Sequence, residues 1–340
     1  MRRRAALALL LGAAACGGST VDPPVLDATG TVAGVVFLDV DGDGTLTAPD
    51  VGVAGISVRA RSPNGERNLA TDVTEADGAF RLENVPVGSI LAEVDPDLLG
   101  DSVEVLAAAP LTVEADETVF APIGVSFPTY DVSDLRGLPA GMAVFTSGVV
   151  LNGTGEAPGG AVHIESGGRA LRILPLADQT VEVGDSVRVQ GRTGSDLGQT
   201  VLRDARIFRI DPLSRAVTPD AVTAAAARTA DVGRLDADLV ALTSGEVMGV
   251  DGTGEGDRLS IRDQTGTVEV RLRADQGFAG GVEVGSTVVR LVGLLVHDPV
   301  QREWTLVPRT SPDVTLEAPV DPPDQRGDED DKKGKKGKGD

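Results

Sequence analysis

From Gly30 to Phe127, apolar residues recur at alternate positions in short runs, and Gly, Asp, Asn and Pro punctuate them. That period matches side chains that alternate across a half-buried strand. Val32 to Leu38 opens the series, and Ile56-Ser57-Val58-Arg59-Ala60-Arg61 alternates strictly. Ala79 to Leu82, Ile90 to Val94 and Thr112 to Glu114 continue it. Asn64-Gly65 and Asp77-Gly78 are type I′ hairpin signals, and Val85-Pro86-Val87-Gly88 reads as a turn. Strands this short and regular predict a β-sandwich over residues 29–127.

The second half repeats itself at an offset of about 100 residues, the length of a small domain. Thr146-Ser147-Gly148-Val149-Val150 answers Thr243-Ser244-Gly245-Glu246-Val247, and Val162-His163-Ile164-Glu165 answers Leu259-Ser260-Ile261-Arg262. Val181-Glu182-Val183-Gly184-Asp185-Ser186 answers Val282-Glu283-Val284-Gly285-Ser286, and Gly191 and Gly293 close matching strands. Each copy reads as three strands, a V-E-V-G loop and two more strands, which suits a five-stranded OB barrel. The copies span residues 128–212 and 213–317. Between them, Pro219 to Ala230 is alanine-rich and predicts a short helix against a barrel end. The fold expected is therefore all-β: an N-terminal Ig-like or prealbumin-like sandwich, two tandem OB-like barrels and disordered termini.

Composition narrows the packing. Aromatic residues make up 3% of the chain, so the cores must be built from Val, Leu, Ile and Ala. One cysteine excludes an internal disulfide, and each unit must bury enough apolar area without that brace. The formal charge of −21 opposes binding to nucleic acid and to anionic headgroups.

The strand ending at Leu38 runs into Asp39-Val40-Asp41-Gly42-Asp43-Gly44-Thr45-Leu46-Thr47-Ala48-Pro49-Asp50. Carboxylates stand at loop positions 1, 3, 5 and 12 with glycine at position 6, the ligand order of a calcium loop of EF-hand type. The candidate ligands for a structural Ca2+ are Asp39, Asp41, Asp43, the Thr45 carbonyl and Asp50. The flanks carry β-branched residues and glycines, not helices, so the expectation is a clamp between strands and not an EF-hand sensor. An acidic, solvated turn without metal is the competing reading.

The aspartate loop, the segment Gly52-Val53-Ala54-Gly55-Ile56-Ser57-Val58, and the runs Thr74-Glu75-Ala76-Asp77-Gly78-Ala79-Phe80 and Leu82-Glu83-Asn84-Val85-Pro86-Val87-Gly88 together resemble the B-like repeats of serine–aspartate-repeat adhesins. That resemblance covers under a third of the chain. It implies a calcium-binding, prealbumin-like (Cna-B-like) sandwich used for spacing or presentation on bacterial surfaces. Val183-Gly184-Asp185-Ser186-Val187-Arg188-Val189-Gln190-Gly191 resembles the recurring feature of OB-fold domains of secreted bacterial proteins, often found beside extracellular nucleases.

Arg2, Arg3 and Arg4 precede a small apolar run, Ala5 to Ala15, too short to span a bilayer. Ala13-Ala14-Ala15-Cys16 resembles a bacterial lipobox, with Ala13 where Leu is commonest; the same residues also fit an A-x-A cleavage site. Both readings place a signal peptide at 1–15. The first makes Cys16 a lipidation site, residues 16–28 a tether and the bacterial envelope membrane a partner. Gly17 resembles outer-membrane sorting in Gram-negative bacteria. The second reading leaves the protein secreted. Residues 318–340 carry Asp328-Glu329-Asp330-Asp331 and then a lysine run, and read as a disordered charged tail.

No nucleophile elbow, H-E-x-x-H or phosphate loop is present. The two histidines, His163 and His297, occupy non-equivalent places in the copies, so neither is assigned a role. The expectation is a non-enzymatic, exported, lipid-anchored scaffold with a protein or glycan partner and no oligomeric state specified. The alternative is an OB-fold nucleic-acid-binding accessory of an extracellular nuclease system. Arg203, Arg206, Arg209, Arg271 and Arg273 favour it, while overall acidity and the few aromatics (Phe145, Phe208, Phe278, Trp304) oppose it.

Overall fold

The computed structural model describes residues 28–94, 103–106, 109–211, 214–253, 256–276, 282–299 and 301–319. The signal run, Cys16, most of the tether and nearly all of the charged tail lie outside the described residues. So does Phe278. Among the described residues the architecture is all-β, with one short α-helix and a few 3-10 turns. No helix among the described residues is long and apolar enough to cross a membrane.

The N-terminal unit contains β1 (Thr29–Leu38), β2 (Val51–Gly52), β3 (Ser57–Arg61), β4 (Asn68–Val73), β5 (Ala79–Pro86), β6 (Gly88–Val94), β7 (Glu104–Val105), β8 (Leu111–Val113), β9 (Thr118–Phe120) and β10 (Ile123–Ser126). One sheet runs β2-β1-β10-β7, with β5 and β9 also paired to β1, and the other runs β4-β3-β6-β8. β1 alternates between buried and half-buried positions along most of its length, as its sequence predicts. Val32, Val36, Val58, Ala60, Leu82, Ile90 and Ile123 fill the space between the sheets.

Two turns differ from their predicted type. β3 and β4 do form a hairpin, but its loop spans residues 62–67, and Gly65, not Asn64, takes a positive φ. A type I′ turn needs both central residues left-handed, so the side-chain bonds of Ser62 and Asn64 hold a wider loop instead. Asp77-Gly78 joins β4 to β5, which belong to opposite sheets, so it is a corner and not a hairpin. Gly78 packs so closely that a Cβ would lie 2.3 Å from the Val36 carbonyl oxygen.

The middle unit comprises β11 (Ala143–Val150), β12 (Val162–Ser166), β13 (Arg169–Pro175), β14 (Ser186–Asp196) and β15 (Gln199–Asp211). They close into a barrel in the order β11-β12-β13-β15-β14. The pair β13–β15 is parallel and the others are antiparallel.

The last unit contains β16 (Asp220–Ala221), α1 (Ala224–Gly233), β17 (Leu239–Leu242), β18 (Glu246–Thr253), β19 (Gly256–Arg262), β20 (Thr267–Arg273), β21 (Thr287–Asp298), β22 (Glu303–Val307) and β23 (Val314–Glu317). Strands β18-β19-β20-β22-β21 repeat the circuit of the first barrel, again with one parallel pair, β20–β22. The circuit closes through Glu246 and Thr287. Strands β16, β17 and β23 extend it.

The repeated V-E-V-G loops play the same part in both barrels. Gly184 donates its amide to the Val150 carbonyl and Gly285 to Val247. Val150 and Val247 donate in return to the carbonyls of Asp185 and Ser286. Both glycines have positive φ, 90° and 92°, which only glycine adopts without strain. The motif is thus a turn that docks the start of the fourth barrel strand on the first.

The alanine-rich helix forms where expected. Thr223 caps it by accepting from the Ala226 amide, and Asp263 and Thr265 of the β19–β20 turn accept from Ala224 and Ala225. Ala224, Ala227 and Ala230 face the core of the second barrel.

The units share buried surface. Leu151, Ala161 and Ala170 of the first barrel pack with Leu239, Val292 and Leu294 of the second. Phe145 of the first barrel joins the sandwich core, edge-on to Phe127 at 5.9 Å between ring centroids.

Two titratable groups are trapped at the barrel–barrel seam. His163 is fully buried; its Nδ1–H donates to the Ala237 carbonyl at 2.7 Å, and Nε2 has no partner. Burial lowers its pKa to about 4, with nearby Arg172 acting in the same sense. Burial raises Asp238 to about 6, against a hydrogen bond from the Leu239 amide. The two contributions oppose each other. The depressed His163 loses stability as pH falls from its ordinary 6.5 towards 4, and the raised Asp238 loses it as pH rises from 3.8 towards 6. Relative to wild type, Asp238→Asn should therefore lose stability between pH 6 and 4.2, and His163→Gln should gain it, each by roughly 2–3 kcal/mol. Urea unfolding across that pH range measures both slopes, and identical slopes in all three proteins would refute the assignment.

Candidate metal site

β1 carries Asp39 to the edge of the sandwich, where its amide donates to the Val125 carbonyl at 2.9 Å. Asp39 is 2% exposed, while Asp41 and Asp43 are exposed. The chain then curls back through Gly42 and Gly44, both with positive φ. That curl aims their amides at the two oxygens of Asp39, at 2.8 and 3.2 Å. Asp41 Oδ1 accepts from the Asp43 amide, and Asp43 Oδ1 accepts from both the amide and the hydroxyl of Thr45, each at 2.7 Å.

One oxygen from each of Asp39, Asp41 and Asp43 lies within 4.8 Å of the others. Calcium–oxygen distances of about 2.3–2.6 Å allow ligand oxygens that far apart around one ion. A carboxylate has about four lone-pair sites; even Asp43, whose Oδ1 accepts twice from Thr45, keeps acceptor capacity on its other oxygen, so these bonds orient the ligands without consuming them. The three aspartates thus fit a hard cation. The Thr45 hydroxyl and then its amide hold Asp43 below the usual carboxylate range, which keeps it anionic.

The other two predicted ligands sit differently. Asp50 is not one of the three carboxylates within 4.8 Å of one another, and it accepts from the Val40 amide at 2.8 Å and the Thr47 amide at 3.1 Å. It closes the loop on itself. Burial raises its pKa, with the Asp41 and Asp39 charges adding to the effect against the two amide bonds. Thr45 stands beside Asp43 and donates to it from its amide and hydroxyl, bonds that do not involve the predicted carbonyl.

Sequence reasoning missed Arg188, on the outer side of β14. Its guanidinium stacks 4.4 Å over the Phe145 ring and donates from Nη2 to Thr129 Oγ1 at 3.0 Å. It also faces the aspartate loop: a Cβ on Gly42 would lie 3.1 Å from Arg188 Nη1. Burial lowers its pKa, and the charges of Asp39, Asp41 and Asp50 oppose that shift. In the sequence Arg188 stands only within the V-G-D-S motif, and nothing there marks what its side chain meets.

The other predicted features fall elsewhere. His163 is sealed in the seam, and His297 on β21 meets the β14–β15 turn of the first barrel, where its Nδ1 bonds to the Leu197 carbonyl. Arg203 and Arg209 form ion pairs with Asp196 and Asp185. Arg273 pairs with Asp275. Phe145 is fully buried beneath Arg188 and presents no exposed face to a base.

No protein-family model and no curated protein matches the sequence. Among solved structures, the chain is similar to the minor pilin GBS52 of Streptococcus agalactiae, with 18% identity and a TM-score of 0.24. That match covers 29% of this chain and 45% of the pilin, so this chain spans less than half the pilin's length. It is also similar to a murine DNA-binding protein bound to double-stranded DNA, with 12% identity over 50% of this chain and 96% of that one, and a TM-score of 0.28. The HINa domain of Ifi202 in complex with a 20-base-pair duplex gives 13% identity over 52% and 97%, and a TM-score of 0.26. At these scores the similarities decide nothing about function.

Arg188 places a positive charge beside the candidate cation site, so removing it should tighten calcium binding. Arg188→Gln is expected to gain about 1 kcal/mol, several-fold in Kd, at low ionic strength. Calorimetric titration of both proteins checks this, and weaker binding in the variant would count against the charge argument.

Proposed function

We propose that the protein is a non-enzymatic scaffold whose sandwich is stiffened by a structural Ca2+ and whose barrels present binding surfaces outside the cytoplasm. The convergence of Asp39, Asp41 and Asp43, oriented by the loop's own amides, carries this reading. Calcium would offset the repulsion among three carboxylates and fix the loop that joins β1 to β2. Extracellular sites of this type have Kd values of roughly 10⁻⁴–10⁻³ M, so millimolar external calcium would fill the loop and cytoplasmic calcium would not. Cys16, through lipidation, would hold the protein at a bacterial cell envelope. Its presentation role, with a protein or glycan partner, rests on the resemblance to surface adhesin repeats.

Calcium at ten times its Kd should stabilise the sandwich by about 1.4 kcal/mol. A melt in millimolar calcium against chelator should show a rise in Tm that is absent in Asp39→Ala/Asp43→Ala. An identical Tm in calcium and chelator would end the metal reading. For the anchor, Cys16→Ser should move the protein from the membrane fraction to the soluble one, and unchanged partition would remove lipidation from the proposal.

A further inference from the structure

We propose that the second barrel holds a small oxyanion, a compact molecule bearing a carboxylate or phosphate, in a cleft beside the first barrel. The outer faces of β19 and β20 place Arg258 directly opposite Arg271. Leu259, Ile261, Val270 and Leu272 point into the barrel core, which sends the arginines of the same strands outward. Directly opposed side chains in adjacent strands have Cβ atoms about 4.5–5.5 Å apart, and like charges in that register repel. Both arginines are half-buried, and among the described residues neither forms an ion pair or hydrogen bond. Glu269, two residues along the same face, pairs with neither. This contrasts with Arg203, Arg209, Arg273 and Arg309, each of which has a carboxylate partner.

The two guanidinium groups open onto a cavity of about 330 Å³. His297 and Thr305 add polar groups to its wall, and Pro158 and Leu197 of the first barrel close one side. The His297 ring is set in place by a 2.5 Å hydrogen bond between Nδ1 and the Leu197 carbonyl. Asp298 also lines the cavity, but its carboxylate accepts from the Gln301 amide at 3.1 Å within the β21–β22 turn. Two unpaired planar forks facing one space suit the paired oxygens of a carboxylate or phosphate. The volume suits a ligand of about monosaccharide size, at the lower end of small-molecule sites. The wall supplied by the first barrel disfavours a long strand.

The protein carries its own reporter. Trp304 is the one tryptophan of the chain, and its ring meets that of His297 edge-on at 5.3 Å. Titrating the full chain with glucose 6-phosphate and, separately, glucuronate should give a saturable change in tryptophan emission, and the two arms distinguish a phosphate from a carboxylate ligand. Glucose, and sodium chloride at matched ionic strength, should give none. Arg258→Gln and Arg271→Gln should each weaken the response at least tenfold, while Arg262→Gln, at the exposed end of β19, should leave it intact. Should either glutamine variant fail to fold, Arg258→Lys and Arg271→Lys keep the charge, lose the fork, and are still expected to bind more weakly. A response reproduced by sodium chloride, or unchanged in folded arginine variants, overturns the site. Single-stranded oligonucleotide binding tighter than either sugar would replace the small-anion ligand with a nucleic-acid one. None of these outcomes depends on calcium or on Cys16.

Discussion

The structure depends on a seam of small aliphatic side chains between the two barrels. Ala157, Ala161 and Ala170 on one side meet Ala237, Ala241 and Val292 on the other, and larger residues such as Leu151 and Leu294 fill the remainder. Small side chains let the backbones of two curved sheets approach closely, and dispersion then acts over many atom pairs. A chain so poor in aromatic residues gains little from any one large side chain, so shared burial must supply what each small barrel lacks. Around the seam, polar side chains complete the join. Arg309 donates to the Leu151 carbonyl while paired with Asp313, and Gln199 donates to Asp236. His163 and Asp238 are buried here because the barrels are pressed together.

The barrels were legible in the sequence because their signal is internal. Two copies of one strand order, with V-E-V-G in matching places, define a circuit without reference to any partner. The reason for the glycine then emerges from the backbone: Gly184 and Gly285 adopt positive φ, and a Cβ on Gly184 would strike the Arg215 carbonyl at 2.3 Å. Strands β16, β17 and β23 were not visible in this way. Asp220-Ala221 is too short to show a period, and β17 is buried along its whole length, so Leu239-Val240-Ala241-Leu242 shows no alternation. Asp77-Gly78 shows the same limit for turns. The dipeptide specifies a reversal, but whether the next strand rejoins its neighbour or crosses to the opposite sheet is decided by the core.

The aspartate loop was partly legible. Spacing alone brings Asp39, Asp41 and Asp43 together, because the three stand on one tight curl of chain. Asp50 was assigned by the same spacing, and the Val40 and Thr47 amides that hold its carboxylate could not be read from it. Arg188 is separated from the loop by well over 100 residues, and only the docking of sandwich on barrel joins them. The opposed arginines of β19 and β20 illustrate the converse. Arg271 was visible as part of an outward strand face, but its partner across the ladder and the cavity before it required the register.

Phe145 has a consequence for how such a chain evolves. It belongs to a barrel strand by sequence and to the sandwich core by burial, and it carries the Arg188 guanidinium on its face. A recombination point drawn between the two units, at the linker where modular proteins usually exchange parts, would leave the sandwich with an unfilled hole and the barrel with an exposed aromatic ring. Either unit joined to another partner would therefore need a substitution at this position.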